Sequence, residues 1–405
     1  MTGGLNGRGP RRRRVCVVGA GMHYISGLSY YTYFLARGLA EANDVSVILM
    51  RALVPKLLYP GRDRVGSMIT GLSTSTFAPT FDGIDWTLAP SLIRALDFLE
   101  EQHPDVLVLE WWSASCLPSY LALCRAAHKM GIPVVLELHE DMHAAEAKIP
   151  LAGPLAAYLL RRLIQVADAY VVHSPCHLDR VTVNYGLDSN DILVVPHGPF
   201  DMAGRTDVRL RRPEDPATIL YFGTVRPYKG LEYLVDAFDE LSSAEPGKWR
   251  LVVVGEPWEG WRLPFDKIAA SVHRDSIEVI ARYVHDEEIP DIFARADVVV
   301  LPYLESVASG PLHLTMAAGL PVVVTDLGGL AFAVADYRGA VLVPPSDSAA
   351  IAEGIRSAEP MFLDRFEDPH SWKRTRDAFD TLFNRLLGVE RHESETVTVS
   401  EPRSN

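Results

Sequence analysis

Short, uninterrupted apolar runs recur along the whole chain, with helix-spaced segments between them. The first half carries VCVV (15–18), VSVILM (45–50), DVLVLEWW (105–112), PVVLELHED (133–141), AYVVHS (169–174) and DILVVPHG (191–198). The second half carries ILYFG (219–223), LVVVG (251–255), IEVI (277–280), DVVVLPY (297–303) and PVVVTD (321–326). A strand covered by helices on both faces has no row of side chains in water, so it reads as a continuous run instead of an alternation. Such strands alternating with helices specify a parallel, doubly wound α/β sheet, and two sets of them specify two such domains. With 405 residues, 48% of them apolar, the chain can fill two cores.

Between the sets, PFDMAGRTDVRLRRPEDP (199–216) is polar, proline-rich and without periodicity, the composition of a linker. The predicted organisation is a first domain over 15–200, a linker over 201–216 and a second domain over 217–370. A final helix over 371–388 spaces Phe379, Leu382, Phe383 and Leu386 along one face. Residues 1–14, MTGGLNGRGPRRRR, are glycine-rich and basic with no apolar core; they are unlike a secretory signal and are predicted to be disordered. The polar tail 389–405 is predicted to be disordered as well.

Charge and cysteine usage narrow the function classes. A net charge of −13 argues against general nucleic-acid binding, which wants a basic face. The arginine run 11–14 is a candidate for weak peripheral contact with an anionic membrane surface, and no run of the ~18 apolar residues that read as a membrane span occurs. Cys16, Cys116, Cys124 and Cys176 lack Cys-x-x-Cys spacing, which fits reduced thiols and a cytoplasmic setting. His173-Ser-Pro-Cys176-His177 holds metal-ligand residue types, yet no second ligand cluster adjoins it in sequence, so a strand end turning into a helix is the favoured reading.

The chemistry concentrates at the carboxyl ends of strands, where open α/β sheets bind ligands. In ILYFGTVRPYKG (219–230) a strand breaks at Gly223, and Arg226 and Lys229 precede Gly230 and a helical pattern. Two cations at a helix start suit a pyrophosphate, although solvated surface charges are the plainer reading. Ser309, Gly310 and Pro311 open another helix, with glycine allowing close approach and proline suited to the first helical position. Upstream, Gly19-Ala-Gly21 follows the first strand, but Tyr24 stands where a dinucleotide fingerprint needs a third glycine, which counts against an oxidoreductase. Glu110, Trp111 and Trp112 end one strand, and His139, Glu140 and Asp141 end another. The tryptophans either stack on a sugar or pack internally, and Asp141 also reads as a helix cap. Tyr24, Glu110, Trp111, Trp112, Glu140 and Asp141 are the acceptor-side candidates.

Gly-x-x-Arg-x-x-Lys-Gly after a strand resembles the phosphate-binding segment of family 4 nucleotide-sugar glycosyltransferases. Three later segments follow in that family's order: ADVVVLPY (296–303), SGPLHLTMAAGLPVVVTD (309–326) and GGLAFAVADYRGAVLVPPSD (328–347). The resemblance implies two Rossmann-like domains facing across a cleft, the glycosyltransferase B (GT-B) architecture, with the last helix crossing back to the first domain. It implies transfer of a sugar, with retention at the anomeric centre, from a nucleoside-diphosphate sugar (UDP or GDP) to a hydroxyl acceptor such as a glycan, a lipid-linked sugar or a natural product. No metal at the diphosphate and no further cofactor are implied.

By the same resemblance, Arg226 and Lys229 stabilise the leaving diphosphate and His139 stands near the donor sugar or acceptor. Gly19, Gly21 and Gly27 lie over the donor, Gly223, Ser309, Gly310 and Pro311 admit the phosphates, and the main chain at Arg282 and Tyr283 meets the base. The family's usual glutamate pair is absent: its places hold Ser306 and Leu314, leaving Glu305 and His313 as candidate replacements and resembling a subset that lacks the pair. Asp82-Gly-Ile-Asp85 has the wrong spacing for a metal-binding Asp-x-Asp and reads as a loop. A non-catalytic protein on a decayed transferase and a nucleotide-sugar 2-epimerase are the alternative readings; the missing pair keeps the first open and the RPYKGL segment counts against the second.

Overall fold

A computed structural model describes residues 12–22, 27–52, 70–85, 89–139, 152–202, 215–258, 260–305 and 308–388. The first sheet contains β1 (Arg14–Ala20), β2 (Asp44–Ala52), β3 (Thr80–Asp85), β4 (Val106–Trp111), β5 (Val134–Leu138), β6 (Ala169–Val172) and β7 (Ile192–Val194), all parallel, in the order 3-2-1-4-5-6-7. The second contains β8 (Ala217–Phe222), β9 (Trp249–Val254), β10 (Ile277–Ile280), β11 (Val298–Leu301), β12 (Val322–Thr325) and β13 (Ala340–Val343), also parallel, in the order 10-9-8-11-12-13. Helices α1 (Gly27–Ala40), α2 (Ala89–Gln102), α3 (Leu117–Lys129), α4 (Ala152–Val166) and α5 (Pro175–Tyr185) accompany the first sheet. The second has α6 (Leu231–Ala244), α7 (Leu263–Ala270), α8 (Ile289–Ala294), α9 (Gly310–Ala318), α10 (Gly328–Val334) and α11 (Ser348–Ala358), and α12 (Trp372–Leu386) ends the described chain.

Central strands β4 and β8 are buried at every residue, which is why they read as apolar runs. Two edge strands lay outside the predicted set. β13 was not anticipated, and β3 makes Asp82–Asp85 part of a strand, not a loop. Each pairs with a single neighbour; β3 (TFDGID), covered on fewer sides, need not be continuously apolar, whereas β13 (AVLV) is a short apolar run like the others.

Side chains alternate across each strand, so one sheet feeds two cores. Val106 and Val108 of β4 join an inner cluster that runs on to Leu220 and Val252 of the second sheet. Leu107, Leu109 and Trp111 join a separate cluster behind the first sheet. The inner cluster is closed by α12, which returns to the first sheet and buries Phe379, Leu382 and Phe383. The Trp372 indole donates to the Pro199 carbonyl at 2.8 Å and the Thr375 hydroxyl donates to that of Pro196 at 3.0 Å.

Three arginines of the amino-terminal basic run belong to the fold, contrary to the expectation of a disordered tail through residue 14. Arg14 opens β1 and meets Asp105 at 3.1 Å, Arg13 pairs with Asp380 of α12 at 2.6 Å, and Arg12 meets Asp44 at 3.1 Å. Carboxylates contributed from distant parts of the chain hold these three, and Arg11 lies outside the described residues. Most of the linker segment and the tail beyond Gly388 lie outside the described residues. Among the described residues no helix is long and apolar enough to cross a membrane.

Candidate active site

The carboxyl end of β8 turns at Gly223 and runs through the single turn Pro227–Lys229 into α6. Gly230, which caps α6, has φ 63°, and a Cβ there would lie 2.0 Å from the Pro302 carbonyl oxygen. Only glycine satisfies both conditions, so the turn is locked against the end of β11. The Lys229 ammonium, on a residue only 7% exposed, donates to the Tyr303 hydroxyl at 2.9 Å. That hydroxyl lies 3.1 Å from the Ser309 hydroxyl, and Ser309 in turn accepts from the Leu312 N–H to cap α9. Burial lowers the Lys229 pKa to about 8.

Arg226 lays its guanidinium over the Trp258 ring at 4.1 Å, and its Nε has no hydrogen-bond partner among the described residues. Among the described residues neither Arg226 nor Lys229 has a carboxylate partner, whereas Arg250, Arg295 and Lys267 on the same domain all do. A Cβ on Gly223 would lie 3.2 Å from the Lys229 Nζ and 3.1 Å from Pro311, so the β8 turn, the ammonium and the first turn of α9 converge. A Cβ on Gly310 would lie 4.0 Å from the Gly27 Cα, which brings the start of α1 to the same place. Helix starts carry partial positive charge and unpaired N–H groups, so the convergence is positive throughout.

Across the cleft the chemistry is different. Glu110 and Glu137 are register partners on β4 and β5, both fully buried, on the face that carries the inner cluster. Thr32 of α1 donates to Glu110, and the Tyr31 hydroxyl donates to Glu137 at 2.5 Å. His139, just past β5, is 6% exposed and packs edge-on against Tyr31 at 4.5 Å between centroids. His173 follows β6 and places its Nδ1 3.0 Å from the Val195 carbonyl. His197 stacks on His313 of α9 at 4.2 Å and 14°, joining the two sheets through imidazoles.

Desolvation dominates the electrostatics of this wall. It pushes Glu110 well up and Glu137 up to about 8, and it lowers His173 to about 4 and His139, His197 and His313 well below the ordinary imidazole value. Alongside α1 lies a cleft of about 170 Å³ whose lining mixes apolar side chains such as Met22 and Leu49 with hydroxyl-bearing ones such as Tyr33, Ser73 and Thr74.

The fold thus gathers Gly27, Gly223, Lys229, Ser309, Gly310 and Pro311 at one point, with Arg226 on the same turn, and His139 and His313 in the adjoining histidine wall. Glu305 is exposed on the segment between β11 and α9. The Arg282 guanidinium is held by Glu288 at 2.6 Å, and the Tyr283 hydroxyl lies 3.5 Å from that of Tyr30, which donates to Asp286 at 2.5 Å.

Other expectations need correcting. Trp111 is 1% exposed and lies in the cluster behind the sheet, since strand alternation turns it away from the face that Glu110 uses. Trp112 packs against Tyr120 at 6.3 Å. A Cβ on Gly19 would meet Glu110 and Thr32, and one on Gly21 would meet the Met50 carbonyl, so both glycines make room for their own chain and not for a ligand. Tyr24, Glu140 and Asp141 lie outside the described residues.

Glu137, Thr32, His197, Trp258 and Tyr303 were not anticipated as site residues. For Glu137 a signal existed: an acid inside an apolar strand, two places before His139 and therefore on the same face.

Residues 216–358 match the family described as Glycosyl transferases group 1, and residues 26–198 match the Glycosyl transferase 4-like domain. The chain is 27% identical to a D-inositol 3-phosphate glycosyltransferase of Streptomyces bingchenggensis, covering 90% of each. Among solved structures it is similar to the sucrose-phosphate synthase of Thermosynechococcus elongatus, with TM-score 0.63 and 18% identity over 93% of this chain and 96% of that one. It is also similar to Anabaena HepE in complex with UDP-glucose, with TM-score 0.59 and 16% identity over 93% and 98%.

Proposed function

The chain belongs to the group 1, 4-like glycosyltransferases and has their GT-B fold, and from that premise we propose a retaining hexosyltransferase that uses a UDP-sugar and takes its diphosphate without a metal. The observation that carries the reading is the pair Arg226 and Lys229, two cations with no carboxylate partner among the described residues, with Lys229 beside the first turn of α9. As the glycosidic bond breaks, negative charge gathers on the β-phosphate oxygen. Fixed cations and N–H dipoles at that oxygen lower the barrier, because they are oriented before the charge develops. Tyr303 holds the ammonium and Trp258 holds the guanidinium, so neither has to be ordered during the reaction.

UDP is the first donor to test, since the similar HepE structure contains UDP-glucose. The cleft beside α1, with hydroxyls among its lining, suits a sugar or polyol acceptor, and the Streptomyces relative is named for an inositol phosphate. His139 orients a hydroxyl of donor or acceptor as a neutral ring. Retention is carried over from the family, and no covalent nucleophile is assigned, because Glu110 and Glu137 are tied to Thr32 and Tyr31.

The test is thermal unfolding with millimolar UDP, GDP, ADP or dTDP, with and without EDTA, in the wild type and in Arg226→Ala/Lys229→Ala. A ligand at 100 times its Kd stabilises by about 2.7 kcal/mol, a shift of a few degrees. UDP should shift the wild type equally with and without EDTA and leave the variant unmoved. No shift with any diphosphate, or a shift the variant keeps, sinks the reading.

A further inference from the structure

We propose that Glu137, His139 and His173 bind one divalent transition-metal ion of the imidazole-preferring class, with zinc as the reference. Each of the three residues offers one ligand atom, and those atoms all lie within 4.8 Å of one another. Glu137 Oε2, His139 Nε2 and His173 Nε2 are buried without any hydrogen-bond partner among the described residues, on residues 0%, 6% and 5% exposed. Buried polar atoms are almost always satisfied, and three orphans converging on one point call for a shared occupant.

The tautomer of His173 sharpens the point. Its Nδ1 faces the Val195 carbonyl, which can only accept, so Nδ1 carries the proton and Nε2 presents a lone pair. That lone pair lies 3.4 Å from Glu137 Oε1, and His139 Nε2 lies 4.0 Å from Glu137 Oε2, so potential ligand atoms face one another without a hydrogen bond between them. A cation between them turns each opposition into a bond. Ligand bonds of about 2.0–2.2 Å place tetrahedral ligand atoms roughly 3.4 Å apart, a spacing that small side-chain rotations reach from here.

Two imidazoles and one carboxylate with an open fourth position form a zinc-type set, whereas calcium and magnesium want more oxygen ligands. Supporting contacts are already present: Tyr31 donates to Glu137, and Val195 fixes His173, as outer-shell groups do in metal sites. Register explains the assembly. Glu137 pairs with Val171, so His173, two residues on, stands level with His139, and their ring centroids are 4.7 Å apart. These ligands stand on the first sheet, while the cations assigned to the diphosphate stand on the second, so the two readings can fail separately; with the ion on its Nε2, His139 keeps Nδ1 for the substrate hydroxyl assigned to it above.

The untagged full-length chain, stripped with chelator and then freed of it, is titrated with Co²⁺ and Zn²⁺, with metal content measured after gel filtration. Expected are one tightly held ion per chain, a visible cobalt spectrum of low coordination number that zinc abolishes, and a thermal midpoint raised by zinc. Glu137→Gln and His173→Gln should weaken binding about 100-fold or more, and Tyr31→Phe, which removes only an outer-shell contact, about 10–100-fold. Equal binding by wild type and His173→Gln overturns the proposal, because the chain has 13 histidines that could bind zinc elsewhere. If the variants do not fold, the wild type alone decides: no retained ion, or a six-coordinate cobalt spectrum, overturns it as well.

Discussion

The two rims of the cleft present opposite electrostatics. On the second sheet, Arg226 and Lys229 are cations without carboxylate partners among the described residues, and Lys229 lies beside a helix start. On the first, Glu110, Glu137 and the histidines are buried among one another, and desolvation drives every one of them toward its neutral form. Charge kept unpaired costs stability, and a protein keeps it where a ligand of opposite sign will arrive. Neutral groups packed against one another cost less than unpaired charges and hold shape. The comparison therefore assigns charge stabilisation to the second rim and positioning to the first.

The largest effect that would break this division is on turnover. Arg226→Ala and Lys229→Ala should each lower kcat about 10²–10³-fold, measured as UDP release from UDP-glucose with a polyol acceptor. If KM alone rises, the cations bind ground state and transition state equally and the second rim only holds the donor. Gly230→Ala should come next. Its left-handed φ and the Pro302 carbonyl 2.0 Å from the added methyl carbon predict a loss of roughly 1–3 kcal/mol, read from the denaturant midpoint.

On the first rim, Thr32→Val strips Glu110 of the hydroxyl that donates to its Oε2, while Oε1 already lacks a partner. The expected cost is about 1–3 kcal/mol of stability, with the UDP Kd unchanged by calorimetry. A fall in UDP affinity instead would show that the rims do not divide the work.

The smallest effect is on pH dependence. Lys229 is charged below its pKa of about 8 and neutral above it, so UDP affinity should hold up to that pH and then fall, by roughly tenfold at most per unit. Bound diphosphate favours the ammonium and moves the fall upward. Lys229→Arg, charged throughout, should abolish it; a fall that survives in this variant belongs to another group.

How much could be read in advance follows the same division. The second rim is local in sequence: Gly223, Arg226, Lys229 and Gly230 occupy one turn, and Ser309, Gly310 and Pro311 occupy another. The first rim draws Thr32 and Tyr31 from a helix, Glu110 and Glu137 from neighbouring strands, and His139, His173 and His197 from three separate strand ends. No short window contains it. Trp111 shows the same limit from the other side, since its position at a strand end looked open until alternation placed it behind the sheet.

The amino-acid sequence by itself determined the two parallel sheets, the final helix and the cationic turn after β8, because apolar runs, helix periodicity and turn residues act over a few neighbouring positions. Only the tertiary structure decided that Glu137, His139 and His173 converge, that Lys229 is shielded by Tyr303, and that Arg12 to Arg14 are tied into the fold. Those outcomes depend on which strands lie side by side and which groups lose their water together, and burial of that kind exists only once the whole chain has packed.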